Sequence, residues 1–524
     1  MGRCETARSL ADIFRTQARA QPEATAQIFD DRVTTYGELD RRASQVANGL
    51  AALGARPGMR VGYLGKNSDL YFELLLGALK ANVVLVAVNW RLAPPEAAAI
   101  LADAGVEILF VGLGYAPMAE AIARAGHAAR QRVSMDGANA AWPDFAAWRD
   151  AQPDADQMPP VAPEDTAIQL YTSGTTGLPK GVELTNRNYL ALLSAWEEAG
   201  LGTVGPADVV LTCMPVFHVA GVDMGLLALV YGATNLVMEE VSVPGLLALI
   251  PRHGVTVALL VPAVVLALVQ HPDAGRPDLR SLRRLLYGAS PIAEATVLRA
   301  KALLPGAELW QLYGLTETVG GGTCLPPALH EGPEARLRSC GQPYPGFELR
   351  VVGPLGESLP TGELGEVVIR HKSVMKGYWN QPEATRAAFF EGGWFRTGDA
   401  GYLDADGYLY LQDRIKDMIV SGAENVYPAE VENALMGHPA VADVAVIGVP
   451  DERWGEAVKA VVVLKPGERA TADDIVAFAR PRIAGYKLPK SVDFVAELPR
   501  NPSGKILRRE LRAPHWAGRT RQVN

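Results

Sequence analysis

The sequence predicts an α/β protein with a large N-terminal domain of parallel α/β subdomains plus a β-rich subdomain, followed by a small mobile α+β C-terminal domain. Three observations predict this architecture. Helical and strand-like patterns alternate through the first 160 residues, which favours parallel strands joined by crossover helices. Short strands separated by Gly/Asp turns follow between residues 363 and 412. Helices and strands then mix again over about the last hundred residues.

The N-terminal α/β region begins with a helix predicted over Leu39–Leu53, where apolar and small residues recur at helical spacing until Gly54. Arg60–Leu64 and Val83–Val88 are predicted strands, and the second is apolar throughout, as expected of a fully buried strand. Tyr71–Lys80, between them, is predicted as a helix. This order of elements is typical of a parallel sheet covered by helices.

The middle of the chain contains a linker and then the β-rich subdomain. Asp150–Glu164 is rich in Pro, Asp and Gln and is predicted to be a surface linker that leads into a strand ending at Tyr171. Strands of the β-rich subdomain are predicted over Glu363–Arg370, Trp394–Thr397 and Tyr408–Gln412.

A compact charged segment at Asp413–Lys416 marks the predicted domain boundary. We therefore expect a large domain over residues 1–412 and a small one over 417–524, joined by 413–416. The small domain is predicted to contain a helix, two strands and a helix, over Ala429–Leu435, Val441–Val449, Ala457–Leu464 and Asp473–Arg482.

Composition excludes several classes of function. The net charge of −8 argues against nucleic acid as the main partner, because duplex binding requires Lys and Arg to neutralise phosphates. The most apolar run, Val255–Val269, is interrupted by Thr256 and Pro262 and is shorter than the ~20 residues that span a bilayer. The four cysteines form no CxxC pair, so we expect reduced thiols in a cytoplasmic protein, at Cys4, Cys213, Cys324 and Cys340.

A glycine-rich loop at Thr172–Gly181 is the most informative motif. Two glycines allow a tight turn with exposed N–H groups, and four hydroxyls and one ammonium add donors, a combination suited to a triphosphate. It is not a Walker A loop, because Lys180 follows Pro179 and precedes Gly181. A flexible surface turn is the alternative interpretation. The candidate ATP-binding residues are Thr172, Ser173, Gly174, Thr175, Thr176, Gly177 and Lys180.

Further polar segments lie downstream. Tyr287–Pro291 ends a strand in small residues, which allows a flat ring to approach the backbone. Tyr313–Thr318 places an aromatic ring, hydroxyls and a carboxylate on one turn, groups suited to stacking, phosphate contact and Mg²⁺ ligation. A helix start capped by Thr316 is the less favoured alternative. Trp394–Asp399 offers a carboxylate to ribose hydroxyls, or only a turn. Pro499–Lys505 displays a lysine on a rigid loop, although a lone surface lysine is usually a solvated charge.

In this order and spacing, the motifs at 172–181, 313–318, 394–399, 413–416 and 499–505 resemble the core motifs of adenylate-forming enzymes. That superfamily includes acyl-CoA synthetases, firefly luciferase and nonribosomal adenylation domains. The resemblance extends from about residue 36 to about residue 509. It is closest to bacterial fatty-acyl and medium-chain acyl-CoA ligases over 362–464.

The resemblance implies a two-step reaction that uses ATP, Mg²⁺ and coenzyme A. A carboxylate attacks the α-phosphate to give an acyl-adenylate and pyrophosphate, and the CoA thiol then displaces AMP. The implied catalytic residues are Lys505, Thr316, Glu317, His218 and Lys416, with Thr172 and Glu317 holding Mg²⁺. The implied contacts to adenine, ribose and α-phosphate are Gly288, Ala289, Ser290, Gln311, Tyr313, Gly314, Thr316, Asp399, Arg414 and Lys505.

The resemblance also places a hinge at Lys416, about which the small domain rotates between the two steps. For CoA, Arg91, Trp454 and Lys487 match family segments that contact the nucleotide. From Arg480 to Arg521 there are eleven Lys/Arg and three acidic residues, a basic surface that alternatively gives weak peripheral contact with an anionic membrane. A homodimer is a family expectation.

The segment 214–221 matches the one that lines the acyl pocket in acyl- and aryl-CoA ligases. Amino-acid-activating relatives place Asp just after the Phe, whereas this chain has His218 there, with Asp223 nearby. We therefore expect a carboxylic acid without an α-amino group, most simply a fatty acid, and the alternative is an aromatic or alicyclic acid. A carrier-protein-loading enzyme, an oxygenase and a non-catalytic ATP-binding scaffold are less favoured. The predicted pocket residues are His218, Gly221, Val222, Gly314 and Gly320.

Overall fold

The computed structural model describes residues 7–135, 141–156, 158, 160–172, 179–201, 203–414, 417–421, 424–451, 453–501 and 504–517. The α-helices are α1 Leu10–Ala20, α2 Tyr36–Ala52, α3 Asp69–Lys80, α4 Pro94–Asp103, α5 Ala116–Arg124, α6 Phe145–Asp150, α7 Asn186–Glu198, α8 Val219–Tyr231, α9 Val243–His253, α10 Pro262–Gln270, α11 Glu294–Leu303, α12 Pro382–Ala387, α13 Pro428–Met436, α14 Ala472–Ala479 and α15 Arg508–Trp516. Short 3₁₀ turns are Thr316–Thr318, Pro327–His330 and Gly485–Lys487.

The strands of the first half are β1 Thr25–Phe29, β2 Arg32–Thr35, β3 Arg60–Leu64, β4 Val84–Val88, β5 Ile108–Val111, β6 Gln131–Ser134, β7 Thr166–Thr172, β8 Lys180–Thr185, β9 Val209–Thr212, β10 Thr234–Val237, β11 Val257–Leu260, β12 Arg284–Gly288 and β13 Glu308–Gly314. Those of the second half are β14 Gly322–Leu325, β15 Gln342–Pro343, β16 Glu348–Val352, β17 Gly365–Arg370, β18 Gly377–Tyr378, β19 Phe389–Phe390, β20 Trp394–Leu403, β21 Leu409–Arg414, β22 Ile419–Ser421, β23 Glu424–Val426, β24 Val441–Asp451, β25 Gly455–Leu464 and β26 Ser491–Phe494.

Two large sheets form the N-terminal region. In the described part of the chain, one has the strand order β18-β8-β7-β4-β3-β5-β6, and the other β15-β14-β13-β12-β11-β9-β10-β1-β2. Their central strands are parallel, while β8, β18, β2, β14 and β15 pair antiparallel at the edges. The predicted α/β fold with parallel sheets is therefore confirmed, with antiparallel edges that the sequence patterns did not indicate.

Two smaller sheets follow in chain order. The first joins β16, β17, β20, β19 and β21 antiparallel, and the second joins β23, β22, β25, β24 and β26. The chain leaves the first at Arg414 and enters the second at Ile419, on either side of the segment predicted as the domain boundary.

Helix α3 lies at the centre of the N-terminal region. All its residues are buried, including Glu73 and Lys80, since its apolar residues surround the helix rather than forming one stripe. It packs closely on α2: a Cβ added to Gly77 would lie 2.3 Å from Val46 Cγ1, so only glycine permits this approach. No helix within the described ranges is both long and apolar enough to cross a bilayer.

A buried charge network joins this centre to the predicted surface linker. Lys80 Nζ lies 2.7 Å from Asp40 Oδ1 and 3.0 Å from Asp156 Oδ2, and its side chain is 1% exposed. Asp156 also accepts a 2.6 Å hydrogen bond from Arg15 Nε. The linker therefore supplies a counter-charge to the interior, a role that its composition did not reveal.

Asp156→Asn is expected to lower the free energy of unfolding by about 2 kcal/mol at pH 7, because Lys80 and Arg15 both lose a charged partner. Burial opposes ionisation of Asp156, but the hydrogen bond from Arg15 and the charge of Lys80 outweigh it and lower its pKa to about 2. A depressed pKa gives stability that is present above the ordinary value of ~3.9 and is lost as the pH falls towards that of the folded state.

Urea unfolding of the wild-type protein and of Asp156→Asn at several pH values measures this loss. The difference between their free energies of unfolding should narrow below pH ~4. Asp278→Asn is the matched control, since its ion pair with Arg280 is solvent-exposed, and we expect no measurable change. Equal losses in the two variants would contradict the role of the buried network.

Candidate active site

Two antiparallel strands flank the glycine-rich segment in the sequence. Thr172, the last residue of β7, pairs antiparallel with Lys180, the first residue of β8. This geometry differs from a strand–loop–helix phosphate site, in agreement with the failed match to a Walker A loop. The predicted ATP-binding residues between these strands lie outside the described residues: Ser173, Gly174, Thr175, Thr176 and Gly177.

Tyr378 links the start of β8 to the predicted metal ligand. Lys180 Nζ lies 4.7 Å from the centre of the Tyr378 ring, and the Tyr378 hydroxyl donates a 2.9 Å hydrogen bond to Glu317 Oε1. The Met375 N–H donates a 2.7 Å bond to the Glu317 carbonyl. Sequence analysis missed Tyr378, because β18 has two residues and pairs with β8 almost 200 residues earlier.

Hydrogen bonds of the buried Thr318 hydroxyl stabilise the turn that carries Thr316 and Glu317. Thr318 Oγ1 accepts a 3.0 Å bond from the Leu315 N–H and donates to the Gly321 carbonyl. Thr318 is fully buried, whereas Thr316 and Glu317 are partly exposed. Thr316 therefore begins a 3₁₀ turn rather than capping a longer helix. A single oriented carboxylate beside hydroxyl groups fits Mg²⁺, a hard cation that takes few protein ligands when ATP phosphates supply the others.

The residues predicted to contact adenosine lie at the ends of β12 and β13 and in the middle of β20. The Tyr313 hydroxyl donates a 2.7 Å bond to Asp399 Oδ2, and both residues are buried. Asp399 lies opposite Arg414 in the β20–β21 pair, although the Arg414 side chain is outside the described part. Gln311 is buried, and its Oε1 has no hydrogen-bond partner among the described residues.

Backbone geometry at the end of β12 requires small residues. A Cβ on Gly288 would lie 2.0 Å from the Leu312 carbonyl oxygen, so no side chain fits there. Ala289 has φ 67°, the left-handed conformation that residues with a side chain rarely adopt. Such strain concentrates at functional sites. Ala289 is exposed, and Ser290, which follows it, is partly exposed.

The loop that carries Lys505 is closed by its own hydrogen bonds and packs on the large domain. Asn501 Oδ1 accepts a 2.8 Å bond from the Lys505 N–H, and Arg500 donates 2.6 Å and 2.5 Å bonds to the Gly504 carbonyl and Asp443 Oδ2. Gly504 has φ 79°, and a Cβ there would lie 3.1 Å from Val261 Cγ2. The loop therefore meets the N-terminal end of α10.

The pKa of His218 is affected by the positive charge of Lys505. His218 immediately precedes α8 and is partly buried. Burial and the positive charges of Lys505 and Arg91 together lower its pKa to about 4. Three predicted residues from distant parts of the sequence thus converge, and His218 is a neutral imidazole at physiological pH.

The predicted acyl-pocket glycines serve different purposes. A Cβ on Gly221 would lie 2.3 Å from the Pro215 carbonyl oxygen, and one on Gly314 would lie 2.1 Å from that of Gly320. Both glycines therefore permit close backbone packing around the site. Gly320, by contrast, faces side chains of α8, and Val222 is fully buried on that helix.

The predicted CoA residues already have partners within the chain. Arg91 pairs with Glu240 at 2.5 Å and Lys487 with Glu430 at 2.7 Å. Trp454 has the Arg453 guanidinium 4.6 Å and Lys490 Nζ 5.7 Å from its ring. Lys416, the predicted hinge, lies outside the described residues.

Comparison with known proteins identifies the family. The model of the AMP-binding enzyme family matches residues 14–379, and that of the AMP-binding enzyme C-terminal domain matches residues 430–505. The chain belongs to the AMP-binding enzyme family. The predictions of superfamily and enzyme class are thereby confirmed, and ATP, Mg²⁺ and coenzyme A are the predicted ligands consistent with this AMP-binding enzyme.

Several relatives align along nearly the whole AMP-binding enzyme. A fatty acid–[acyl-carrier-protein] ligase, ScoC, of Streptomyces coeruleorubidus is 42% identical, covering 97% of this chain and 96% of the relative. A feruloyl-CoA synthase of Amycolatopsis sp is 41% identical, covering 95% and 97%. A long-chain-fatty-acid–CoA ligase, FadD13, of Mycobacterium tuberculosis is 39% identical, covering 96% and 98%.

Among solved structures, the anthranilate CoA ligase AuaEII in complex with anthranoyl-AMP superimposes with a TM-score of 0.90. It is 29% identical, and the alignment covers 98% of this chain and 99% of that chain. The fold of the AMP-binding enzyme is thus shared across its full described length.

Tyr313→Phe in this AMP-binding enzyme is expected to raise the KM for ATP about tenfold with little change in kcat, because Asp399 loses the donor that orients it. Steady-state kinetics at saturating acid and thiol measure this change. Tyr402→Phe, on the same strand as Asp399, is the control and should leave the KM unchanged. A fall in kcat alone would contradict a role in nucleotide binding.

Proposed function

We propose that the protein is an ATP-dependent acyl-CoA ligase that converts a carboxylic acid, ATP and CoA into acyl-CoA, AMP and pyrophosphate, most simply with a fatty acid as substrate. The observation that carries this proposal is the packing of the Lys505 loop, through Gly504, against Val261 of the large domain, which brings the lysine charge near His218 at the start of α8. A lysine charge near the neutral His218 imidazole, at the N-terminal end of the apolar helix α8, is suited to binding an anionic substrate.

In the first step, a carboxylate oxygen bonds to the α-phosphorus while the bond to the bridging oxygen of pyrophosphate breaks. Lys505 would draw the carboxylate and α-phosphate together and offset the negative charge that develops between them. The Tyr313–Asp399 pair would hold the nucleoside, and Thr316 would contact the α-phosphate. Thr172 and Glu317 would hold Mg²⁺, which supplies charge neutralisation at the phosphates when bound.

In the second step, the thiol sulfur attacks the acyl carbonyl carbon, AMP leaves and the thiol proton passes to solvent. Lys505 must withdraw for the thiol to approach, so we propose that the small domain rotates about Lys416. This division of the chain into 1–412, 413–416 and 417–524 is supported by the change of sheet between Arg414 and Ile419.

The acceptor thiol has a second candidate. The relative with 42% identity is named for ligation to an acyl carrier protein, whose thiol would replace that of CoA. The Arg91 and Lys487 ion pairs mean that CoA phosphates would compete with Glu240 and Glu430 for those cations. We retain CoA as the main proposal, with Trp454 and its two cations as the more open contact surface.

We further propose a cytoplasmic location and a homodimer. Weak peripheral membrane contact is less supported, because several basic side chains of the C-terminal region pair within the chain. These ion pairs are Lys487–Glu430, Arg500–Asp443, Arg508–Glu432 and Arg512–Asp417.

Lys505→Ala is expected to reduce adenylate formation at least about a hundredfold, because the charge at the transferring phosphate is lost. Thioester formation from preformed acyl-adenylate should fall less than about threefold, since Lys505 has withdrawn at that stage. Acid-dependent pyrophosphate exchange and thioester formation measure the two steps separately. Arg509→Ala, an equal loss of charge on the neighbouring helix, should change neither. Equal loss of both steps in Lys505→Ala would refute the assignment.

A panel of fatty, aromatic and alicyclic acids tests the substrate class. We expect CoA-dependent AMP release with the highest kcat/KM for a fatty acid, because α8 presents an apolar wall that includes Val222. Each acid is assayed with CoA and with a phosphopantetheinylated carrier protein. An aromatic acid as best substrate would establish the alternative, and activity with the carrier protein alone would overturn CoA as acceptor.

A further inference from the structure

A buried carboxyl group lies one helical turn into the predicted acyl pocket. Asp223 follows Val219 by four residues, so the two side chains share one face of α8. The separation along the helix axis is ~6 Å, comparable to a short acyl chain or one phenyl ring. Because His218 immediately precedes this helix and the Lys505 charge lies near His218, an acid bound there by its carboxylate would extend towards Asp223.

The turn at Gly320 faces this carboxyl with backbone alone. Gly320 has φ 71°, and a Cβ on it would lie 3.3 Å from Asp223 Oδ2 and 3.8 Å from Val219 Cγ2. A side chain at position 320 would therefore lie against Asp223. Because Gly320 has no side chain, the Asp223 carboxyl can lie close to the backbone of the segment that follows Thr316 and Glu317.

The Asp223 side chain is polar, buried and without a hydrogen-bond partner at one oxygen. Asp223 is 8% exposed, and the Tyr189 hydroxyl lies beside it, close enough to lower its pKa against the larger rise that burial causes. Among the described residues, however, neither Asp223 Oδ1 nor the Tyr189 hydroxyl has a partner in good hydrogen-bond geometry. The other neighbour is Tyr71, and burial raises the pKa of both tyrosines. A buried polar group without a partner is costly, and such exceptions call for an explanation.

Burial raises the pKa of Asp223 well above its ordinary value, and the nearby Tyr189 hydroxyl offsets only part of this rise. Burial therefore favours the protonated form of this carboxyl group, which can both donate and accept a hydrogen bond. An ammonium group would require the ionised form, which this apolar surrounding disfavours. A neutral hydroxyl group matches the site better.

We propose that Asp223 and Tyr189 form a polar subsite that binds a hydroxyl group carried by the acid about one helical turn from its carboxylate. The inference rests on the proposed ligase function and specifies its substrate class as hydroxy acids rather than unsubstituted ones. A hydroxyl donor satisfies Oδ1 and accepts from the phenol, whereas an alkyl chain leaves both groups unpaired.

Two matched pairs of substrates test the subsite: hexanoic acid with its ω-hydroxy derivative, and cinnamic acid with its para-hydroxy derivative. For the wild-type protein we expect kcat/KM for CoA-dependent AMP release to favour the hydroxylated member of at least one pair by about tenfold or more. Asp223→Leu should abolish or reverse this ratio with the KM for ATP unchanged, and Asp223→Asn should retain part of it.

Tyr189→Phe is the second variant, because it removes only a hydroxyl and preserves the ring should Asp223→Leu fail to fold. It is expected to reduce the ratio by a few-fold. Equal rates for both members of each pair in the wild-type protein, or a ratio unaffected by both variants, would overturn the subsite. AMP release from none of the acids, hydroxylated or not, would instead overturn the ligase function itself.

Discussion

Lys505 belongs to the C-terminal region, yet its positive charge lies near enough to His218 of the large domain to lower the pKa of that imidazole, and the chemistry depends on this approach. The approach is permitted by Gly504, whose left-handed backbone lies against Val261 where a Cβ would be only 3.1 Å from the valine methyl. Arg500 fixes the loop internally through Gly504 and Asp443. A reversible surface contact of this kind allows a catalytic charge to be delivered and then withdrawn, which a residue within the rigid sheet could not do.

The remaining site is held by hydrogen bonds that cross between sheets. Tyr313 on the nine-stranded sheet bonds to Asp399 on the antiparallel sheet, and Tyr378 at the edge of the seven-stranded sheet bonds to Glu317. Each pair orients a carboxylate before substrate arrives, so less reorganisation is required in the transition state. The neutral His218 adds no competing positive charge beside Lys505.

The sequence predicted regular elements well where their patterns are local. Helix α3 was expected over 71–80 and spans Asp69–Lys80, because its apolar residues and flanking strands are contiguous in the chain. Long-range features escaped prediction for the same reason. The pairing of Tyr378 with β8, the buried ion pair of Asp156 with Lys80 and the partnerless Oδ1 of Asp223 all depend on residues distant in sequence. The glycine motifs were found, but whether a glycine admits substrate or backbone is visible only in three dimensions.

The central claim is attack by the substrate carboxylate on the α-phosphate, promoted by Lys505. Isotope transfer tests it most directly: the acid labelled with oxygen-18 in its carboxylate is incubated with ATP, CoA and enzyme, and the products are analysed by mass spectrometry. The account predicts one labelled oxygen in AMP and none in pyrophosphate or inorganic phosphate. Label in inorganic phosphate with unlabelled AMP would show attack at the γ-phosphate and contradict the account.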